Sequence, residues 1–141
     1  MDALVRTGIS GIKMYASELG VSCVEEEDRL VLNMEGYNVS AFFGATEDTV
    51  YTTFVSMIIL DPEVIPSGEE WDFYQELLGE TDEILHHPFA MDRNEDGEVR
   101  LYFRNVVTYD DVVPLTMFKE ELIYTYVDVK NLSEALDSMA E

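Results

Sequence analysis

Residues 50 to 60 read VYTTFVSMIIL, a run without glycine, proline or any charged residue. Successive side chains of a β-strand point to opposite faces, and here both alternating sets contain apolar residues. One set is Tyr51, Val55, Met57 and Ile59, and the other is Phe54, Ile58 and Leu60. The pattern predicts a strand that is central in its sheet or covered on both faces. It is too short for a transmembrane helix, which needs about 20 apolar residues.

The chain before this run predicts a helix and three shorter strands. Apolar residues from Leu4 to Leu19 recur every three or four positions, which is the period of one buried helix stripe. From Val21 the period changes to two. The alternating segments are Val21–Cys23, Leu30–Met34 and Val39–Phe43, separated by an acidic turn and by a turn at Gly36 to Asn38. We therefore expect a four-stranded meander.

The chain after it predicts a helix, a hairpin and a final helix. Ser67 and Glu70 have capping-box spacing, and an amphipathic helix pattern runs from Trp71 towards Pro88, where we expect it to stop. Asp96-Gly97 lies between two alternating segments, 89–92 and 99–107, which favours a hairpin with a type I′ turn.

Residues 122 to 129 are rich in β-branched and aromatic residues and are compatible with a strand. The three-to-four spacing from Leu115 to Met139 instead favours a long third helix, with Pro114 tolerated in its first turn. The whole pattern predicts a single α+β domain over residues 1–141. It consists of an antiparallel sheet with three helices in the order α-β-β-β(-β)-α-β-β-α.

Charge and cysteine content exclude several classes of protein. The formal net charge is −22, so binding of nucleic acid or an anionic membrane, which needs clustered cations, is not expected. Cys23 is the only cysteine, which excludes an internal disulfide and a cysteine-rich zinc site. With no apolar signal segment at the N-terminus, we expect a cytoplasmic protein.

No motif predicts catalysis or a cofactor. Residues 92–99 match the start of a calcium-binding loop, but its twelfth position is Phe103 instead of the bidentate glutamate, so an ordinary hairpin turn is favoured. His86 and His87 are adjacent, and in a helix they would point about 100° apart, which favours C-capping over metal binding. With no nucleophile, base and orienting group together, the chain is not expected to be an enzyme.

The few cationic residues are clustered in one part of the sequence. Three of the five arginines lie between Arg93 and Arg104, and Arg100, Tyr102 and Arg104 alternate on one predicted strand. Arginine and tyrosine are enriched at interface anchors, so these three are candidate partner-binding residues, and their strand is a candidate edge for β-augmentation. The alternative is that the arginines pair with the chain's own carboxylates. Trp71 and Tyr74 are candidate dimer contacts, although an aromatic residue in an amphipathic helix more often belongs to the core.

The order of elements resembles the class I type III secretion chaperone-like superfamily and, within it, the bacterial YbjN family of proposed sensory transduction regulators. Four features carry the resemblance: ELGVSCVEEEDRLVL (Glu18–Leu32), WDFYQELL (Trp71–Leu78), FAMDRNEDGEVRLYF (Phe89–Phe103) and the long final helix. The resemblance implies a small non-enzymatic homodimer without a cofactor. It would hold an extended or partly folded peptide segment against its sheet and helices.

Two function classes follow. The first is a chaperone-like or regulatory module that binds a protein or peptide segment. The alternative is an acidic mimic of nucleic acid that inhibits a DNA- or RNA-binding protein, which would present carboxylates in place of an apolar surface.

Overall fold

The structure, a computed structural model, describes residues 2–140. Its helices and strands, in chain order, are α1 (Asp2–Leu19), β1 (Ser22–Glu25), β2 (Arg29–Met34), β3 (Tyr37–Ala45), β4 (Val50–Leu60), a 3-10 turn (Pro62–Val64), α2 (Glu70–Thr81), β5 (Ala90–Arg93), β6 (Val99–Tyr109) and α3 (Leu115–Ala140). The predicted α+β fold class and order of elements are confirmed. Among the helices of residues 2–140, none is long and apolar enough to cross a membrane.

All six strands form one antiparallel sheet in the order β1-β2-β3-β4-β6-β5. β4 and β6 pair along their full length, from Val50 opposite Tyr109 to Leu60 opposite Val99. β5 is much shorter and pairs only with the first four residues of β6, Val99 to Tyr102. β4 therefore lies inside the sheet, as its apolar sequence predicts.

The three helices cover one face of this sheet. One cluster of core residues packs Ile12 of α1 and Phe118 of α3 against Phe54 of β4. A second cluster packs Leu77 of α2 and Val129 of α3 against Phe103 of β6. Burying large apolar side chains such as these contributes roughly 1.5–3 kcal/mol each, so these two clusters hold the helices in place.

No described element covers the other side of the sheet, here called the open face. Ile58 packs in the second core cluster, whereas Met57 and Ile59 are 43% and 54% exposed. The expectation that β4 is central is confirmed, but its second apolar set does not lie under a layer of helices. A row of apolar side chains is thus left in contact with solvent.

The helical prediction for the C-terminal segment is confirmed. α3 places Leu122, Thr125, Val129 and Leu132 on one buried stripe against the sheet. The spacing of the apolar residues therefore overrides the strand propensity of residues 122–129.

Two local predictions need correction. The type I′ conformation, with positive φ at both central residues, occurs at Glu35-Gly36 between β2 and β3, where φ is 54° and 90°. In the second hairpin only Gly97 has positive φ. There the Asn94 side-chain oxygen accepts hydrogen bonds from the N–H groups of Asp96 and Glu98, which builds a longer loop.

The second helix also differs from its prediction. Its N-cap is Glu69 rather than Ser67, and no side chain caps it. It ends at Thr81, well before Pro88. The backbone N–H groups of His86 and His87, which would bond within a longer helix, bond instead to Asp128 of α3.

Candidate protein-binding face

The three predicted partner-binding residues share the open face. Arg100, Tyr102 and Arg104 alternate along β6 with side chains opposite to the buried Leu101 and Phe103. Their neighbours across β4 are Ile59, Met57 and Val55 respectively. The sequence therefore predicted correctly that these residues lie side by side.

The three arginines of this hairpin have different partners. Arg100 makes a bidentate ion pair with Asp92 of β5, at 2.6 and 2.8 Å, and this pair raises the pKa of Arg100. Arg93 points to the helix side, where its guanidinium binds Glu70 and the carbonyl oxygens of Gly97 and Ile65. For these two residues the alternative of pairing within the chain is correct.

Arg104 differs from both. It is exposed and forms no ion pair or side-chain hydrogen bond with any other residue from 3 to 140. It lies between Tyr102 and Val106 on β6 and opposite Val55 of β4, so its neighbours on the sheet face are apolar, and at the edge of the sheet it lines a groove with His87 and Glu121. A free guanidinium among apolar side chains is the arrangement that interface anchors often have.

Apolar side chains continue on both sides of these residues. We call the set formed by Val55, Met57, Ile59, Tyr102 and Val106, together with Arg100 and Arg104, the open-face patch. Val106 is 51% exposed, comparable to Ile59. Contiguous exposed apolar side chains of this kind mark interaction sites on soluble proteins.

The charge of the open face is opposite to that of the chain. Its strand residues include the cations Arg29, Arg100 and Arg104 and one acid, Asp92. Arg29 lies over the ring of Phe42 and pairs with Glu26 of the β1–β2 turn. In a chain with a formal net charge of −22, the acidic residues are concentrated elsewhere.

Beside the patch, the edge of the sheet is only partly covered by β5. Since β5 pairs only with residues 99–102, residues 103–109 of β6 have no strand partner on that side among residues 2–140. A groove of 490 Å³ follows this free edge and is lined by residues 104–108 and by His87, Met117 and Glu121. We call it the β6 groove.

The predicted dimer contacts lie at the end of the same sheet. Trp71 is 68% exposed, whereas Tyr74 is half-buried, packs edge-on against Phe89 and donates a hydrogen bond to the Phe89 carbonyl. Both residues line a 590 Å³ groove along β5 with Ala90 and Met91. Tyr74 thus has a structural role, and Trp71 is the available contact.

A buried carboxylate that could not be identified from the sequence fixes the segment that leads into β5. Asp128 of α3 is fully buried and accepts hydrogen bonds from the N–H groups of His86 and His87, at 2.8 and 3.0 Å. Its two oxygens also contact Nδ1 of both rings, and the ring of His86 stacks on Tyr124. The histidines are therefore not a helix C-cap but hold the segment before β5 against α3.

The same cluster leaves one buried oxygen without a donor. Oε2 of Glu121 lies 3.1 Å from Nε2 of His87 but outside hydrogen-bond geometry, so it has no hydrogen-bond partner in the part of the chain that the structure describes. No group of three or more His, Cys, Asp or Glu residues between positions 3 and 140 is arranged to hold a metal ion.

The oxygens of the calcium-like loop are already engaged. Asp92 binds Arg100, and the Asn94 side-chain oxygen accepts two backbone hydrogen bonds. A calcium ion would have to displace these partners, because it takes 6–8 oxygen ligands.

Comparison with known proteins establishes the relationship at the level of the fold. No protein-family model matches the sequence, and no curated protein matches it either. Among solved structures, YbjN, a proposed transcription regulator from E. coli, superposes with a TM-score of 0.59 over 91% of this chain and 90% of its own, at 16% sequence identity. The chain has a YbjN-like fold.

A second solved structure has the same architecture. It is an uncharacterized protein from Methanothermobacter thermautotrophicus, with a TM-score of 0.61, 10% sequence identity, and coverage of 93% of this chain and 98% of that one. At these identities the likeness shows a YbjN-like fold and nothing of function.

Proposed function

We propose that the protein is a small non-enzymatic binding module, chaperone-like or regulatory, that holds a protein or peptide segment on its open-face patch. The observation that carries the proposal is the exposed apolar row of Met57, Ile59 and Val106 on a sheet face that no described element covers. Burial of these apolar side chains against a partner supplies the favourable free energy of binding. Tyr102 and the arginines orient the bound partner through polar contacts.

The free edge of β6 supports a mode of binding. An extended segment that pairs with residues 103–109 would satisfy their outward backbone groups and add a strand to the sheet. The edge proposed from the sequence is thus available beyond Tyr102, although β5 occupies it from Val99 to Tyr102. A strand in the β6 groove would have Arg104, Val106 and Thr108 on its open-face side.

We further propose that the module acts as a homodimer, with Trp71 as its first contact and Tyr74 behind it. Because each copy has a formal charge of −22, the contact must be apolar at its centre and should tighten as added salt screens the repulsion. Sedimentation of wild type and Trp71→Glu at low and high salt tests this. Wild type that stays monomeric at high salt and high concentration would contradict it.

The main experiment compares matched apolar deletions. A partner is isolated from native lysate and identified, and its affinity is measured for wild type, for Met57→Ser/Ile59→Ser and for a control, Ile84→Ser/Val112→Ser. The control removes apolar groups outside the sheet that are at least as exposed. We expect the first variant to lose at least about tenfold in affinity, or about 1.4 kcal/mol, and the control to lose little. Equal effects of both variants would refute the proposed surface.

Salt distinguishes the alternative of nucleic-acid mimicry. Apolar burial is not screened, so binding on the open-face patch should persist at about 0.5 M salt and weaken on Arg100→Glu or Arg104→Glu. Binding that collapses with salt and ignores both substitutions would favour an acidic inhibitor of a DNA- or RNA-binding protein.

A further inference from the structure

We infer that the partner brings a carboxylate to Arg104, so that the segment held on the open-face patch is acidic at one position and apolar on both sides of it. This inference deepens the proposed function and rests on it. It concerns the chemistry of the occupant, which the apolar row alone does not specify.

Arg104 lies within the open-face patch. It lies between Tyr102 and Val106 on one strand and opposite Val55, so an occupant that covers these apolar side chains also covers the guanidinium. Arginine keeps its charge under all ordinary conditions. Its desolvation must therefore be compensated by an opposite charge from the occupant.

Among residues 3–140, Arg104 has no acid partner: Glu121 lines the same groove, but its Oε2 lies 3.1 Å from Nε2 of His87 and it forms no ion pair with Arg104. Asp92 is held by both of its oxygens on Arg100, and Glu26 is held by Arg29. The guanidinium of Arg104 is therefore available to a carboxylate from an occupant of the patch.

A second copy of the chain whose open-face patch meets this one in a symmetric contact does not supply the carboxylate. Across a two-fold axis the same patch lies on both sides, so the guanidinium of Arg104 would face a surface whose only unpaired charge is another arginine. Phosphate chains do not match either, since the residues beside Arg104 are apolar and the net charge of −22 repels polyanions. A polypeptide with Asp or Glu between apolar residues matches both the charge of Arg104 and the apolar side chains beside it.

A peptide library tests the inference without knowledge of the natural partner. A phage-displayed library of random dodecapeptides is selected on the full chain as wild type, Arg104→Gln and Arg104→Glu, with Arg6→Gln as the matched control for an exposed arginine on α1. We expect wild type and Arg6→Gln to enrich one Asp or Glu flanked by apolar residues. Arg104→Glu should enrich Lys or Arg at that position.

Affinities of the selected peptide distinguish the preference for an acid at Arg104 from binding on the open-face patch as such. Replacing its acid by the matching amide should weaken binding to wild type about tenfold and leave binding to Arg104→Gln unchanged. Apolar peptides with no acid preference, whose affinity is unaffected by Arg104→Gln, would overturn this inference and leave the proposed function standing. Selected peptides that bind Met57→Ser/Ile59→Ser as well as wild type would overturn the proposed function itself.

Discussion

Replacement of Asp128 by alanine is expected to be among the most destabilising single changes in the chain. The carboxylate is fully buried and accepts two backbone hydrogen bonds from the segment that leads into β5. Hydrogen bonds to charged groups contribute about 1.5–3 kcal/mol each, and water can reach the half-exposed His86 to replace part of one bond. We therefore expect the free energy of unfolding to fall by about 3 kcal/mol and Tm by about 10 °C.

Urea unfolding followed by circular dichroism measures this loss. Asp137→Ala, an exposed aspartate on the same helix, is the control and should stay within about 0.5 kcal/mol of wild type. Hydrogen exchange should show faster exchange of the His86 and His87 amides in Asp128→Ala. An Asp128→Ala chain within about 1 kcal/mol of wild type, with both amides still protected, would refute the reasoning.

Three further predictions concern separate parts of the chain. Gly79→Ala should raise stability by about 0.5–1 kcal/mol, since no atom lies within 4 Å of the position that a Cβ would take. Gly11→Ala should gain less than Gly79→Ala, because a Cβ at Gly11 would collide with Cδ2 of Leu115, which must then move; thermal unfolding of both variants checks the difference. Burial raises the pKa of the Cys23 thiol, so less thiolate is present at pH 8.5 and iodoacetamide should alkylate Cys23 more slowly than a free cysteine; an equal rate measured by mass spectrometry would count against its burial. Isothermal titration with calcium should show no saturable binding at micromolar concentration, because the oxygens of Asp92 and Asn94 are engaged; one-to-one binding in that range would disprove this.

The fold could be predicted because its signals are local and periodic. The spacing of three or four residues in α1 and α3 and the alternation in β2, β4 and β6 follow directly from which side chains the core buries. The turn residues were less reliable. Asp96-Gly97 has the composition of a type I′ turn, but the Asn94 side chain captures two N–H groups and makes a longer loop more favourable.

The end of α2 and the role of the histidines depend on tertiary contacts. Nothing near His86 in sequence indicates that Asp128, more than forty residues later, accepts its N–H group. Similarly, the hairpin clusters Arg93, Arg100 and Arg104 in sequence, but only strand pairing shows that Arg93 faces the helices and that Asp92 engages Arg100. Which arginine remains free could not be predicted from the sequence.

The glycines of α1 illustrate a further limit. In sequence, Gly8 and Gly11 only weaken a helix, by up to about 1 kcal/mol each. In the structure, a Cβ at Gly8 would lie 3.1 Å from Phe118, and one at Gly11 would overlap Leu115, so both glycines allow α1 to approach α3 closely. Their function in packing is apparent only once the neighbouring helix is in place.

The most direct test of the central claim is to map where a partner contacts the chain. Methyl groups of Val55, Met57, Ile59 and Val106 report on the open-face patch, and those of Ile84 and Leu19 report on the helix side. NMR titration of the methyl-labelled chain with its identified partner should shift the first set and leave the second unchanged. Shifts confined to the helix-side methyls, with the open-face methyls unaffected at saturation, would contradict the account.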